Sequence, residues 1–250
     1  MADVLKSVDA TFRFVRGVSP YSAGVAAEPG WEIERARFRS PMPLAEGFRR
    51  IETRLRELGR PRAALCACEL RSPRPFTLEG FVEFNRGYVA VLESWGVFRD
   101  GLNPVARSNV CPAVDMPAAP SFYAFAYTVP SPPGAPPSFH VAGSGEVPEG
   151  KGNYPGKIVR PGDVSPAGLC EKARWVLAEL ERRMSALGFG WRDVTATQLY
   201  TVHDVHPFLA DEIVRRGAAR GGLTWHFARP PIVGLDYEMD CRGVGREIVI

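Results

Sequence analysis

The chain has 250 residues, 45% of them apolar and 24% charged, with a formal net charge of +3. That balance is ordinary for a globular protein and argues against disorder, and no apolar run reaches the roughly 18 residues that span a bilayer, so no membrane partner is expected. Basic and acidic residues are interspersed, which argues against a nucleic-acid partner, and the segment MADVLKSVDATFRF has no apolar signal core, which predicts a cytoplasmic location.

In chain order, WEIERARFRS (31–40) alternates as a strand does, and LAEGFRRIETRLRELG (44–59) places Leu44, Phe48, Ile51, Leu55 and Leu58 on one helical face before a glycine stop. RAALCACEL (62–70) reads as a buried strand, FTLEGFVEFNRGYVAVLESWG (76–96) as a long helix, and SNVCPAV (108–114) and SFYAFAYTV (121–129) as strands. The Pro-rich stretch TVPSPPGAPP (128–137) forbids helix and interior strand. It divides the chain into a first unit over 1–130, a linker over 131–137 and a second unit over 138–250.

Beyond it the order recurs. SFHVAGSGEV (138–147) and GKIVR (156–160) are expected strands, and 165–188 is a helix with Ser165 as its cap, Pro166 in its first turn and Gly188 as its stop. DVTATQLYTVHD (193–204) is an expected strand, PFLADEIVRRGAA (207–219) a shorter helix, and LTWHFA (223–228) and LDYEMDC (235–241) the last strands. Arg107 stands ten residues before Pro117 and Arg220 ten before Pro230, which supports internal duplication. The fold class is therefore α+β, two tandem βαβαββ units, each a sheet with two helices on one face. An open sheet face needs a cover, so self-association is expected.

Five scattered cysteines make no disulfide framework and are expected as reduced interior thiols. His203 and His206 flank Asp204 without a third ligand at metal-binding spacing, so no metal is expected. His226, between Trp225 and Phe227, reads as a core histidine. GSGE (143–146) lacks the frame of a serine nucleophile elbow, and the Pro-rich sequence after it is no dinucleotide loop, so no cofactor is expected.

The pieces AGSGEVPEG (142–150), VTATQLYTVHDV (194–205), LDYEMD (235–240), SPYSAGV (19–25), FVEFNRGYVAVL (81–92) and NPVARSNV (103–110) together resemble the RidA/YjgF family of reactive-intermediate deaminases. Tandem, diverged versions of that unit resemble the aminomuconate-type deaminases of aromatic-ring degradation. The resemblance implies a chorismate-mutase-like unit, trimeric assembly with ligand clefts between neighbouring subunits, and hydrolytic release of ammonia from a small carboxylate-bearing enamine or imine. It also implies an arginine that holds the carboxylate and an acid near the last strand that orients or protonates water.

Arg107 is assigned the first role, because a guanidinium matches a carboxylate and never loses its charge. The extra Val105 between Pro104 and Ala106 departs from the family's P-A-R and leaves the register open by a residue. Arg220 is its second-half counterpart. Asp236 and Glu238 are the candidate acids, two apart on one strand and so expected on one face. Tyr21, Asn85, Gly143, Ser144 and Glu146 are the remaining candidate cleft residues, with Gly143 expected to let the ligand approach the backbone. Two other readings stand beside the deaminase: a non-catalytic member that binds small acids or a protein partner, and a chorismate-cleaving enzyme, which the short chain argues against.

Overall fold

The computed structural model describes residues 3–149 and 155–250. Alternating apolar residues make β4 (Trp31–Pro43), and the stripe Phe48, Ile51, Leu55 buries one face of α1 (Leu44–Glu57). Next come β5 (Leu65–Arg71), α2 (Leu78–Ser94), β6 (Ala106–Pro112) and β7 (Ser121–Pro130), in the order read from the sequence. In the second half, β8 (Phe139–Gly145) precedes α3 (Pro166–Leu187). The Ser165 hydroxyl accepts from the Gly168 amide at 3.1 Å, and Gly188 closes the helix at φ 89°. There follow β9 (Ala196–Tyr200), a short turn of α4 (His206–Phe208) continued by the π-helical Leu209–Val214, β10 (Leu223–His226), β11 (Ala228–Arg229) and β12 (Glu238–Gly243).

Several segments differ from expectation, LTWHFA among them, which is split between β10 in one sheet and β11 in the other. GKIVR is no strand: Pro155–Lys157 is a 3-10 turn, and Arg160 at φ 48° has left the extended region that a ladder needs. The second short helix ends early, since turns replace it from Arg215 and Gly217 sits at φ 96°. The chain ends add four strands that no periodicity announced: β1 (Val4–Lys6), β2 (Phe12–Val15), β3 (Gly24–Ala27) and β13 (Arg246–Val249).

Those end strands cross over. One sheet has the order β1-β2-β3-β8-β12-β9-β10 and the other β11-β6-β5-β7-β4-β13. The first strands of the chain therefore extend the second half's sheet, with Gly24 opposite Val141, and the last strand extends the first half's sheet, with Arg246 opposite Glu34. Apolar residues of α3 pack on one sheet, those of α1 and α2 on the other, and a third cluster, including Phe12, Phe14, Ile33, Ala67, Ala126 and Ala142, lies between the sheets. The architecture is α+β in layers, helix on sheet on sheet on helix. Each inner sheet face is covered by the other within one chain, so the cover for which self-association was expected is supplied internally.

Polar groups fasten this seam. Arg35 forks onto Glu69 at 2.5 and 2.8 Å, and Gln198 donates to Glu69 at 3.0 Å and to Asp240 at 2.9 Å. Burial pushes the Glu69 carboxyl up, but Arg35 outweighs it and holds the group well below the usual carboxylate range. His226 lies at this seam, stacked on Tyr200 and bonded to Gln198 at 3.1 Å, and burial lowers its pKa to about 4. Cys66, Cys68, Cys111 and Cys241 are buried free thiols and Cys170 is half-buried. No helix among the described residues is long and apolar enough to cross a membrane.

Candidate active site

A cleft of about 630 Å³ opens where β6 and α2 of one sheet layer meet β8 and the start of β12 in the other. Arg107, Asn85, Tyr21, Gly143 and Glu238 all line it. Its walls are apolar, with Phe81, Val82, Val89, Val147, Ile232 and Leu235 among them.

Arg107 is the second residue of β6 and only 2% exposed. Its Nη2 donates to Asn85 Oδ1 at 2.7 Å, while Nε and Nη1 have no partner among the described residues. Aromatic rings cage the guanidinium: Tyr21 and Tyr88 lie 4.7 Å from it, Phe84 5.4 Å and Phe81 5.6 Å. Burial lowers its pKa from the ordinary value, but the group remains a cation. A buried cation with two unpaired nitrogens is a site for an anion.

Glu238 begins β12 and is 4% exposed. Burial raises its pKa well above the usual carboxylate range, with Asp240, Glu149 and Glu146 adding to the rise and Arg183 opposing it. Its carboxyl rests against Gly143, where an added Cβ would overlap Glu238 Oε1. The glycine thus makes room for the acid, a different role from the ligand approach expected of it.

The other candidates lie elsewhere. Asp236 precedes β12, so strand alternation does not carry back to it and the two carboxylates do not share the cleft. Its side chain meets Lys172 at 2.6 Å and His203 at 3.5 Å. Glu146 is wholly buried and accepts from the Asp236 amide at 2.6 Å, the Tyr237 amide at 3.2 Å and Lys172 at 3.2 Å, which pins the chain just ahead of Glu238. Burial raises its pKa, and these donors oppose the rise. The buried Ser144 hydroxyl donates to the Gly145 carbonyl at 3.2 Å, and Arg220 is exposed on the turns before β10; neither lines the cleft.

Several cleft groups were not singled out in the sequence. Asn109, two residues past Arg107, lines the cleft, and strand alternation was signal enough to find it. Glu149 also lines it, accepting from the Tyr21 hydroxyl at 3.4 Å and pairing with the buried Arg183 at 3.3 Å. Arg183 reaches it from α3, 34 residues further along the chain, which no local pattern reveals. Among the described residues no group of three His, Cys, Asp or Glu side chains is placed to hold a metal ion.

Fold and cleft together define an α+β protein whose two halves contribute to one pocket, with a desolvated cation from one and a desolvated acid from the other. The chain belongs to the 2-aminomuconate deaminase family: the family model described as 2-aminomuconate deaminase CnbZ matches residues 4–248. It is 50% identical over 251 aligned positions, spanning the whole of both chains, to the 2-amino-5-chloromuconate deaminase of Comamonas testosteroni. Among solved structures it is similar to the YjgF gene product of E. coli, with 18% identity, 44% of this chain and 81% of that one covered, and a TM-score of 0.32. It is also similar to a chorismatase, with 12% identity, 89% and 77% covered, and a TM-score of 0.48.

Proposed function

We propose that the chain is a hydrolytic deaminase of 2-aminomuconate-type acids. The observation that carries this reading is the pairing, in one apolar-walled cleft, of an aromatic-caged Arg107 with unpartnered nitrogens and a Glu238 whose burial favours the protonated acid. The name of the Comamonas relative supports the substrate class.

In this reading Arg107 binds the carboxylate beside the amino-bearing carbon. The enamine tautomerises to the 2-imino acid, whose carbon is electrophilic once its nitrogen is protonated. Protonated Glu238 supplies that proton; as carboxylate it then takes one from the attacking water, and the carbinolamine collapses to a 2-oxo acid and ammonia. The balance is imine plus water to ketone plus ammonia, with Glu238 returned to its starting state. Positioning and one acid suffice, because the carbon–nitrogen double bond is already polarised. Asp236, engaged by Lys172, has no part in it.

Incubation with 2-aminomuconate tests the proposal, with ammonia and the 2-oxo acid expected in equal amounts. Saturable stabilisation by the acid with no ammonia would instead favour a non-catalytic binder. We also propose that the chain divides into two units at 131–137, that it is cytoplasmic, and that it forms a homo-oligomer, a trimer, which light scattering would measure.

A further inference from the structure

We infer that Asn109 is a substrate-binding residue that donates a hydrogen bond to the heteroatom on the carbon next to the bound carboxylate, so that the cleft selects 2-imino and 2-oxo acids over acids bearing nothing there. The inference deepens the proposed function and rests on its assignment of the carboxylate to Arg107.

Arg107 and Asn109 are alternate residues of β6 and so project from the same face of the strand. Asn109 is 3% exposed and lines the cleft. Its Oδ1 accepts from the Ser72 hydroxyl at 3.0 Å, which fixes the amide, while its Nδ2 is buried with no partner among the described residues. The Nε and Nη1 of Arg107 are in the same condition. Every buried, unpartnered side-chain atom on the described cleft-lining residues is thus a donor.

A ligand that completes such a site must be rich in acceptors. A carboxylate answers the cation of Arg107. The neutral amide adds no charge for a second carboxylate and asks only for a lone pair nearby. An imine nitrogen or a ketone oxygen on the adjacent carbon has one in the right place. An enamine NH2 is itself a donor and a poor acceptor, and a methylene offers nothing, so either leaves a buried N–H unpaired at a cost that the binding constant reports. Asn109 therefore favours the unprotonated imine and the 2-oxo acid that hydrolysis leaves, and the imine nitrogen gives up this hydrogen bond when Glu238 protonates it.

Calorimetric titration of the whole chain with 2-oxohexanoate and hexanoate tests this without turnover. The wild-type protein is expected to bind the 2-oxo acid about tenfold more tightly, the worth of one good hydrogen bond. Asn109→Ala should bring the ratio close to one, weakening 2-oxohexanoate and lifting the penalty on hexanoate. Ser72→Ala, which unfastens the amide without reshaping the cleft, should narrow the ratio to about threefold and guards against misfolding of the first variant. A wild-type ratio near one, or an undiminished ratio in both variants, overturns the inference. Arg107→Ala should abolish binding of both acids; intact binding of both would remove the premise and the inference with it. A chain that released no ammonia yet showed the predicted ratios would lose its proposed activity and keep this role for Asn109.

Discussion

The Ser108 hydroxyl donates to Asp240 Oδ2 at 2.6 Å across the seam between the sheets. Ser108 is the neighbour of Arg107, and Asp240 stands two residues past Glu238, so this one bond holds the strand carrying the cation in register with the strand carrying the acid. Ser108 Oγ also accepts from the Gly143 amide at 2.9 Å, beside the glycine on which Glu238 rests.

Ser108→Ala should therefore act on both stability and activity. It strips the Gly143 amide of its acceptor and, among the described residues, leaves the Asp240 carboxylate to Tyr200 and Gln198. A loss of about 1–3 kcal/mol in urea unfolding is expected, with ammonia release down roughly tenfold as the cleft loses its register. Unchanged turnover in a destabilised variant would confine the bond to a structural role.

Glu238 makes both activity and stability depend on pH. Its folded-state pKa is raised by burial, so between the ordinary carboxylate value and that raised value the folded chain keeps a proton that the unfolded chain has released. Stability contributed by this group is fully present below the unfolded pKa and falls as pH rises through the window. Glu238→Gln should flatten that part of the curve of unfolding free energy against pH. In the wild type, kcat/KM should fall as pH rises through the raised pKa, because the acid form begins the reaction. A profile flat through that region, with Glu238→Gln as active as wild type, would remove Glu238 from the chemistry.

Asp236 and Glu238 make a matched pair for mutagenesis. Asp236→Asn keeps the shape of a residue that meets Lys172 and His203 outside the cleft, and should leave ammonia release within about threefold of wild type. Glu238→Gln should lower it by at least about a hundredfold. The reverse ranking would transfer the acid's role to Asp236.

Lys172 carries a structural load. It is fully buried between Glu146 and Asp236, at 3.2 and 2.6 Å. Lys172→Met should cost about 3–5 kcal/mol, since Glu146 is left as a buried carboxyl without its cation. Adding Glu146→Gln should recover part of that loss in chemical denaturation, and a double variant no better than the single would place the cost in packing.

What was legible in the sequence was local. Helices α1, α2 and α3 follow from apolar periodicity and from the Ser165 and Gly188 signals, and β4 to β7 from alternation or buried runs. Arg107, Asn85, Tyr21 and Gly143 follow from motif order, and Glu238 only as the residue two beyond Asp236; these five line one cleft. What escaped was non-local: FRFV and GVAA at 12–15 and 24–27 are too short to announce strands, and nothing in them says that Gly24 pairs with Val141. Asp236 takes the family acid's position by a count of six residues from Pro230, and it would share a face with Glu238 only on a strand that included it, whereas the ladder starts at Glu238. The role of Gly143 could not be read without knowing which carboxyl leans on it.

In the proposed reaction a guanidinium from one half of the chain and a protonated acid from the other act on one substrate. This joint action is tested most directly by steady-state ammonia release from 2-aminomuconate by wild type, Arg107→Ala, Glu238→Gln and the double variant. Each single change should cut kcat/KM by about a hundredfold or more, and the double variant should be little worse than the poorer single, as for groups that act as a unit. Either single variant working within about threefold of wild type would contradict the account.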